Sequence, residues 1–148
     1  MKTAMGFILF LPMLLTANAF GQEIKKEFID PRPQEASSAA VKVKGGSMIF
    51  LAGHTASLPE RDAALGNLET QVKRTFDKIK NTLDKAGGTL DDIVSLSVYM
   101  TDLRYIPDFT RITKGLFKKG YPAITFAEVS HLARPELLLE IQPIAVIP

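Results

Sequence analysis

The chain has 148 residues, enough for one compact domain and too few for two ordinary ones. Its apolar fraction of 46% and charged fraction of 23% are those of a soluble globular protein, and a formal net charge of +2 lacks the concentrated basic face of a nucleic-acid binder. The chain has no cysteine, so disulfides, thiolate zinc sites and cysteine nucleophiles are excluded.

The N-terminal string "MKTAMGFILFLPMLLTANAF" carries Lys2, an apolar run from Met5 to Leu15, and then Ala17-Asn18-Ala19. That is the n-region, h-region and A-x-A cleavage site of a secretory signal peptide. The run is shorter than the roughly 20 residues a membrane span needs, and Pro12 interrupts it. The expectation is a signal peptide over residues 1–19, cleavage after Ala19, and a single mature domain over 20–148. It would be secreted, to the periplasm, with no membrane association after cleavage. An exported domain without cysteine must be stabilised by packing or assembly.

The remaining elements read as one α+β unit. "KKEFID" (Lys25 to Asp30) predicts a short strand ended by "PRP". "AAVKVKGG" alternates through Val41, Lys42, Val43 and Lys44 before Gly45-Gly46, and "MIFLAG" follows as a strand closing at Gly53. The Gly-Gly turn between them predicts a hairpin. His54 to Gly66 reads as a loop. Asn67 caps a predicted helix in which Leu68, Val72, Phe76, Ile79, Leu83 and Ala86 form one apolar stripe, stopped by Gly87-Gly88. "DIVSLSVYMTD" predicts a strand with Val94, Leu96, Val98 and Met100 on one face. "PDFTRITKGLFKK" predicts a second helix with Pro107 in its first turn and Phe109, Ile112, Leu116 and Phe117 on its apolar face. "AITFAEVSHL" and "LLLEIQPIAVI" predict the last two strands, separated by "ARPE". The order is β-β-β-α-β-α-β-β. Each helix has one apolar face, so both should pack on one side of a single mixed sheet.

This order and the strings "FLAGHTA", "TQVKRTFDKIKNTLDKAGGTLDDIVSLSVYMTDL", "YPAITF" and "LLLEIQPIA" resemble the Rid/YjgF reactive-intermediate deaminase superfamily, over about Ala36 to Ala145. The resemblance implies a chorismate-mutase-like fold, a homotrimer, and small-molecule pockets in the clefts between subunits. It also implies hydrolytic deamination of reactive enamines and imines, such as 2-aminoacrylate, without a cofactor. In active members the string after the second helix is Pro-Ala-Arg-Thr or Pro-Ala-Arg-Ser, and its arginine grips the substrate carboxylate. Here Pro122-Ala123-Ile124-Thr125 puts Ile124 in that position, and isoleucine supplies neither charge nor donor. The family's Pro-Tyr-Ser is replaced by Ala36-Ser37-Ser38, and a frequent asparagine of the second helix aligns with Thr110.

Glu140 survives from the family pattern. It is the only carboxylate in "LLLEIQPIAVI", where an ionised group is costly unless paired or hydrated. On a strand, Leu138, Glu140 and Gln142 share one face and Leu139 and Ile141 the other. The resemblance makes Glu140 the residue that orients the attacking water, a general base or acid. The alternative is an acceptor of backbone hydrogen bonds or of a salt bridge at the trimer interface. Gly53, His54, Thr110, Ile124, Thr125, Phe126 and Ser37 are the candidate substrate-binding residues. His54 reads equally as a pocket proton donor and as a hydrogen-bonded turn residue. Ser37 and Ser38, without a nucleophile-elbow context, read as a polar turn. His131 reads as structural or exposed. Arg111 and Arg134 are the cations that could replace the missing arginine, although a loop or helix position usually means a solvated side chain. No ligand spacing supports a metal. Three functions stay open: an exported enamine or imine hydrolase with an altered substrate group, a trimeric binding protein for a small apolar or neutral ligand, and a purely structural trimer.

Overall fold

Six strands hydrogen-bond into one mixed sheet, and two helices cover one of its faces. The computed structural model describes residues 23–59 and 65–148. The expected signal peptide therefore lies outside the described residues. The strands are β1 (Lys25–Arg32), β2 (Ser37–Lys44), β3 (Ser47–Phe50), β4 (Ile93–Met100), β5 (Ala123–Glu128) and β6 (Leu139–Ile147). The helices are α1 (Leu68–Lys85) and α2 (Ile106–Thr113). The strand order across the sheet is β1-β2-β5-β4-β6-β3. β4 runs parallel to β5 and antiparallel to β6. This is the α+β architecture with both helices on one side, as the two apolar stripes required.

The core lies between the helices and the sheet. Val72, Phe76, Ile79 and Leu83 of α1 are buried against Leu96, Val98 and Met100 of β4 and Leu139, Ile141 and Ala145 of β6. Burying each large side chain contributes roughly 1.5–3 kcal/mol. The Phe76 ring lies 6.3 Å from Phe109 and 6.1 Å from Phe117, joining α1 to α2 and the chain after it. Asn67 caps α1 as expected, its side-chain oxygen accepting from the Thr70 N–H at 3.0 Å.

Several expectations need correction. β2 and β3 do not form a hairpin. β3 pairs with β6, from Ser47 opposite Ile147 to Phe50 opposite Ile144, while β2 pairs with β1 and touches β5 at Ser38. Gly45 and Gly46 both take left-handed φ values of 81°, as a Gly-Gly turn allows. A turn does not fix the long-range partner, however, and the apolar β6 takes the edge of β3. Ser37 and Ser38 are not a turn but the buried start of β2, where Ser38 donates its hydroxyl to the Tyr121 carbonyl at 2.7 Å.

β1 continues past Asp30 to Arg32, because an edge strand tolerates Pro31. A register shift between Ile93 and Ser95 makes Val94 the extra residue of a bulge, so Ile93 takes the buried place expected of Val94. α2 ends at Thr113, and Leu116 and Phe117 pack against the core from the turn beyond it. β5 ends at Glu128, short of His131, which is exposed and bonded to Ser130 at 3.0 Å.

Candidate functional site

Register determines which side chains share a face. Leu96, Val98 and Met100 lie opposite Pro143, Ile141 and Leu139 on the helix-covered side of the sheet. Ser95, Ser97 and Tyr99 therefore project from the other side, opposite Ile144, Gln142 and Glu140. Parallel pairing with β5 adds Ala123, Thr125 and Ala127 to that second side. β3 adds Phe50, opposite Ile144, and Met48, opposite Val146.

The helix-free face is thus graded. Phe50 and Met48, 73% and 59% exposed, make one end apolar. Thr125, Ser97 and Gln142 form a neutral polar row across its middle, and Tyr99 and Glu140 follow at the far end. Along these four strands the face carries no lysine or arginine.

Glu140 sits beside the segment that follows β3. That segment continues the β3 pairing: Leu51 N–H donates to the Pro143 carbonyl at 3.1 Å, and His54 and Ile141 exchange backbone bonds of 2.8 and 2.9 Å. Between them the carboxylate of Glu140 leans over Gly53. A Cβ on Gly53 would lie 2.8 Å from Cδ of Glu140, closer than such atoms approach, and 3.2 Å from its Cγ. Among the described residues, Glu140 has no hydrogen-bond or ion-pair partner, and its oxygens reach solvent. It is half-buried. A carboxylate held in that way is available to water, a ligand or a second chain.

The other candidate residues divide between the two faces. Gly53 meets Glu140 directly, and exposed Thr125 shares its face. Ile124 and Phe126 project to the helix side, where both pack on the core and the Phe126 ring meets Phe109 edge-on at 5.5 Å. His54, paired with Ile141, turns its ring toward α1. Its Nδ1 lies 2.7 Å from the Ala52 carbonyl oxygen, and its Nε2 lies 3.2 Å from Thr82 Oγ1. A carbonyl only accepts, so Nδ1 carries a proton. Thr110 is half-buried on α2, with its carbonyl accepting from Lys114 N–H at 3.0 Å. Ser37 is buried, 3.5 Å from Glu35 Oε2. Arg111 pairs with Asp108 at 3.1 Å and Arg134 with Glu136 at 3.4 Å, so neither points to a free anion site.

Two features that hold the site in place were missed in the sequence. Gln71 is 1% exposed and satisfies three backbone groups. Its amide donates to the carbonyls of Gly66 at 3.1 Å and Glu136 at 2.9 Å, and its oxygen accepts from Leu138 N–H at 2.9 Å. It ties the loop before α1 to the entry of β6, two residues from Glu140. Its signal was visible: Gln71 and Thr75 occupy stripe positions between Leu68, Val72 and Phe76. The second feature is the α1 row Arg74, Lys78 and Thr82, spaced one turn apart. Arg74 donates to the carbonyls of Ala56 and Leu65, Lys78 to that of Ser57, and Thr82 meets His54. Burial, and secondarily the Arg74 charge, hold the Lys78 ammonium below the usual lysine range. Among the described residues no three His, Asp or Glu side chains are grouped to hold a metal, and no helix is long and apolar enough to cross a membrane.

The family model described as Endoribonuclease L-PSP matches residues 30–147. A RutC family protein of Pyrococcus abyssi is 34% identical over 116 residues, 78% of this chain and 89% of that protein. Among solved structures, a Rid family protein of unknown function from Yersinia pestis is similar with a TM-score of 0.68 and 25% identity, over 82% of this chain and 98% of that one. A putative endoribonuclease from Thermotoga maritima is similar with a TM-score of 0.63 and 27% identity, over 84% and 99%.

Proposed function

We propose, from the premise that the chain belongs to the Rid/YjgF superfamily, that it is an exported, cofactor-independent hydrolase of a reactive enamine or imine, acting through Glu140 in a cleft that a second subunit of a homotrimer completes. The observation that carries this reading is the Glu140 carboxylate, half-buried on the helix-free face and without a partner among the described residues. Glu140 takes a proton from water as the oxygen adds to the C=N carbon. Returning that proton to nitrogen gives a neutral carbinolamine, and Glu140 then carries the hydroxyl proton to the same nitrogen as the C–N bond breaks, releasing ammonia and leaving a carbonyl product. An enamine substrate first tautomerises to the imine. Proton balance closes without a metal or redox partner.

Trimer formation is supported by the exposed Phe50 and Met48 beside Ile144, an apolar end of the face that a second copy would cover. Export is supported by the N-terminal pattern of residues 1–19. A second reading, a trimeric binding protein without chemistry, is favoured by Ile124, which stands at the family's arginine position and packs on the core side. Assaying the purified mature protein against imino acids and neutral imines separates the two. Catalysed ammonia release that depends on Glu140 supports the hydrolase, and binding without release supports the binding protein.

A further inference from the structure

Glu140 lies two residues along β6 from a row of neutral polar side chains that make no hydrogen bond among the described residues. Thr125, Ser97 and Gln142 lie directly across from one another on β5, β4 and β6. Among the described residues none of their side chains makes a hydrogen bond, and Thr125 and Gln142 are exposed. Nothing in the fold requires them. An apolar β-former at these places would pair across strands at least as well.

We infer that this row recognises a neutral hydrogen-bonding group on the ligand, a carboxamide or a hydroxyl, and that it sets the substrate class of the Glu140 site toward uncharged imines. The inference rests on the hydrolase reading for the chemistry but not for the binding. Three observations support it. The row combines donors and acceptors, as an amide requires: two hydroxyls and one carboxamide. The same strands carry no lysine or arginine, and Glu140 two residues from Gln142 repels a carboxylate placed beside it. The spacing also fits. Gln142 and Glu140 are about 7 Å apart along β6, and three neighbouring strands span about 10 Å. That distance holds one water at Glu140, a C=N carbon next to it, and an amide one bond further on.

The test uses a matched pair, pyruvamide and pyruvate, and the imines formed from each with ammonia. By calorimetry on the mature protein, pyruvamide should bind about tenfold more tightly than pyruvate, the size expected for one or two neutral hydrogen bonds added to a charge penalty. Its imine should be hydrolysed with a correspondingly higher kcat/KM. The double variant Ser97→Ala with Gln142→Leu should bring the preference to within about threefold while particle mass stays constant. Equal or inverted binding by the native protein overturns the inference. So does a double variant that keeps the preference, or one that changes particle mass alone, because the row would then be a subunit contact. If pyruvamide is preferred in binding but neither imine turns over, the inference stands and the hydrolase reading fails. If both imines turn over through Glu140 with equal efficiency, the hydrolase reading stands and the inference fails.

Discussion

Glu140 is able to lean over the segment that follows β3 because position 53 is glycine: a Cβ there would lie 2.8 Å from the Glu140 carboxyl carbon. The obstruction would fall on the free end of a flexible side chain, not on backbone. Gly53→Ala should therefore leave the fold within about 1 kcal/mol of native, since Glu140 swings aside. The same displacement moves the carboxylate proposed to orient water by about an ångström and should cost roughly a hundredfold in turnover. Thermal melting and imine hydrolysis on the one variant check both halves. A variant that melts early and keeps its turnover would show that Gly53 serves the backbone alone.

The proposed trimer uses the apolar end of the helix-free face as its subunit contact. Light scattering on the mature protein should give three chains per particle. Phe50→Asp puts a charge where the native side chain is 73% exposed in the single chain, and it should shift the particle to one chain without unfolding it. A native monomer at micromolar concentration would remove the trimer and the intersubunit cleft together.

Gln71 should be the costliest single polar residue to remove. Gln71→Leu fills the volume but leaves two carbonyls and one N–H without their partner. At about 1–3 kcal/mol for a buried group left unsatisfied, a loss of at least 3 kcal/mol is expected in denaturant titration. A loss under 1 kcal/mol would mean that water replaces the amide.

Acid stability should follow Asp92. Burial pushes its carboxyl up, but hydrogen bonds from Lys26 and Thr89, with the Lys26 charge, outweigh this and hold it below the ordinary value. A carboxylate lowered on folding stabilises the protein above the unfolded value of about 3.9 and stops doing so as the pH falls through the folded value. Asp92→Asn should lower the melting temperature at pH 7, and the gap from native should close as the pH drops below about 4. A gap constant from pH 7 to pH 3 would contradict this.

Much of the fold was legible because local signals were strong and agreed. Asn67, the stripe from Leu68 to Leu83 and Gly87-Gly88 fixed α1 to within a residue. The errors came where a distant partner decides. Gly45-Gly46 specifies a turn, yet the partner of β3 is β6, nearly a hundred residues away. Val94 lost its place to Ile93 through a bulge that periodicity cannot register. At the site, alternation on β6 placed Glu140 and Gln142 on one face, as read. The alignment that grouped Ile124 and Phe126 with Glu140 gave no direction for their side chains, and the parallel register with Leu96 and Val98 turns both to the helix side. Consequently Ile124→Arg is expected to lower the melting temperature, because it drives a guanidinium toward the core.

Whether Glu140 handles water at a site open to a ligand is read from Glu140→Gln in the mature protein, with imine hydrolysis, particle mass and melting temperature measured on one preparation. The substitution keeps the shape and removes the base. Turnover should fall by at least about a hundredfold, while the particle remains three chains and the melting temperature shifts by no more than a few degrees. Unchanged turnover, or a particle that falls apart with turnover lost only in proportion, would contradict the account and leave Glu140 as an interface acceptor.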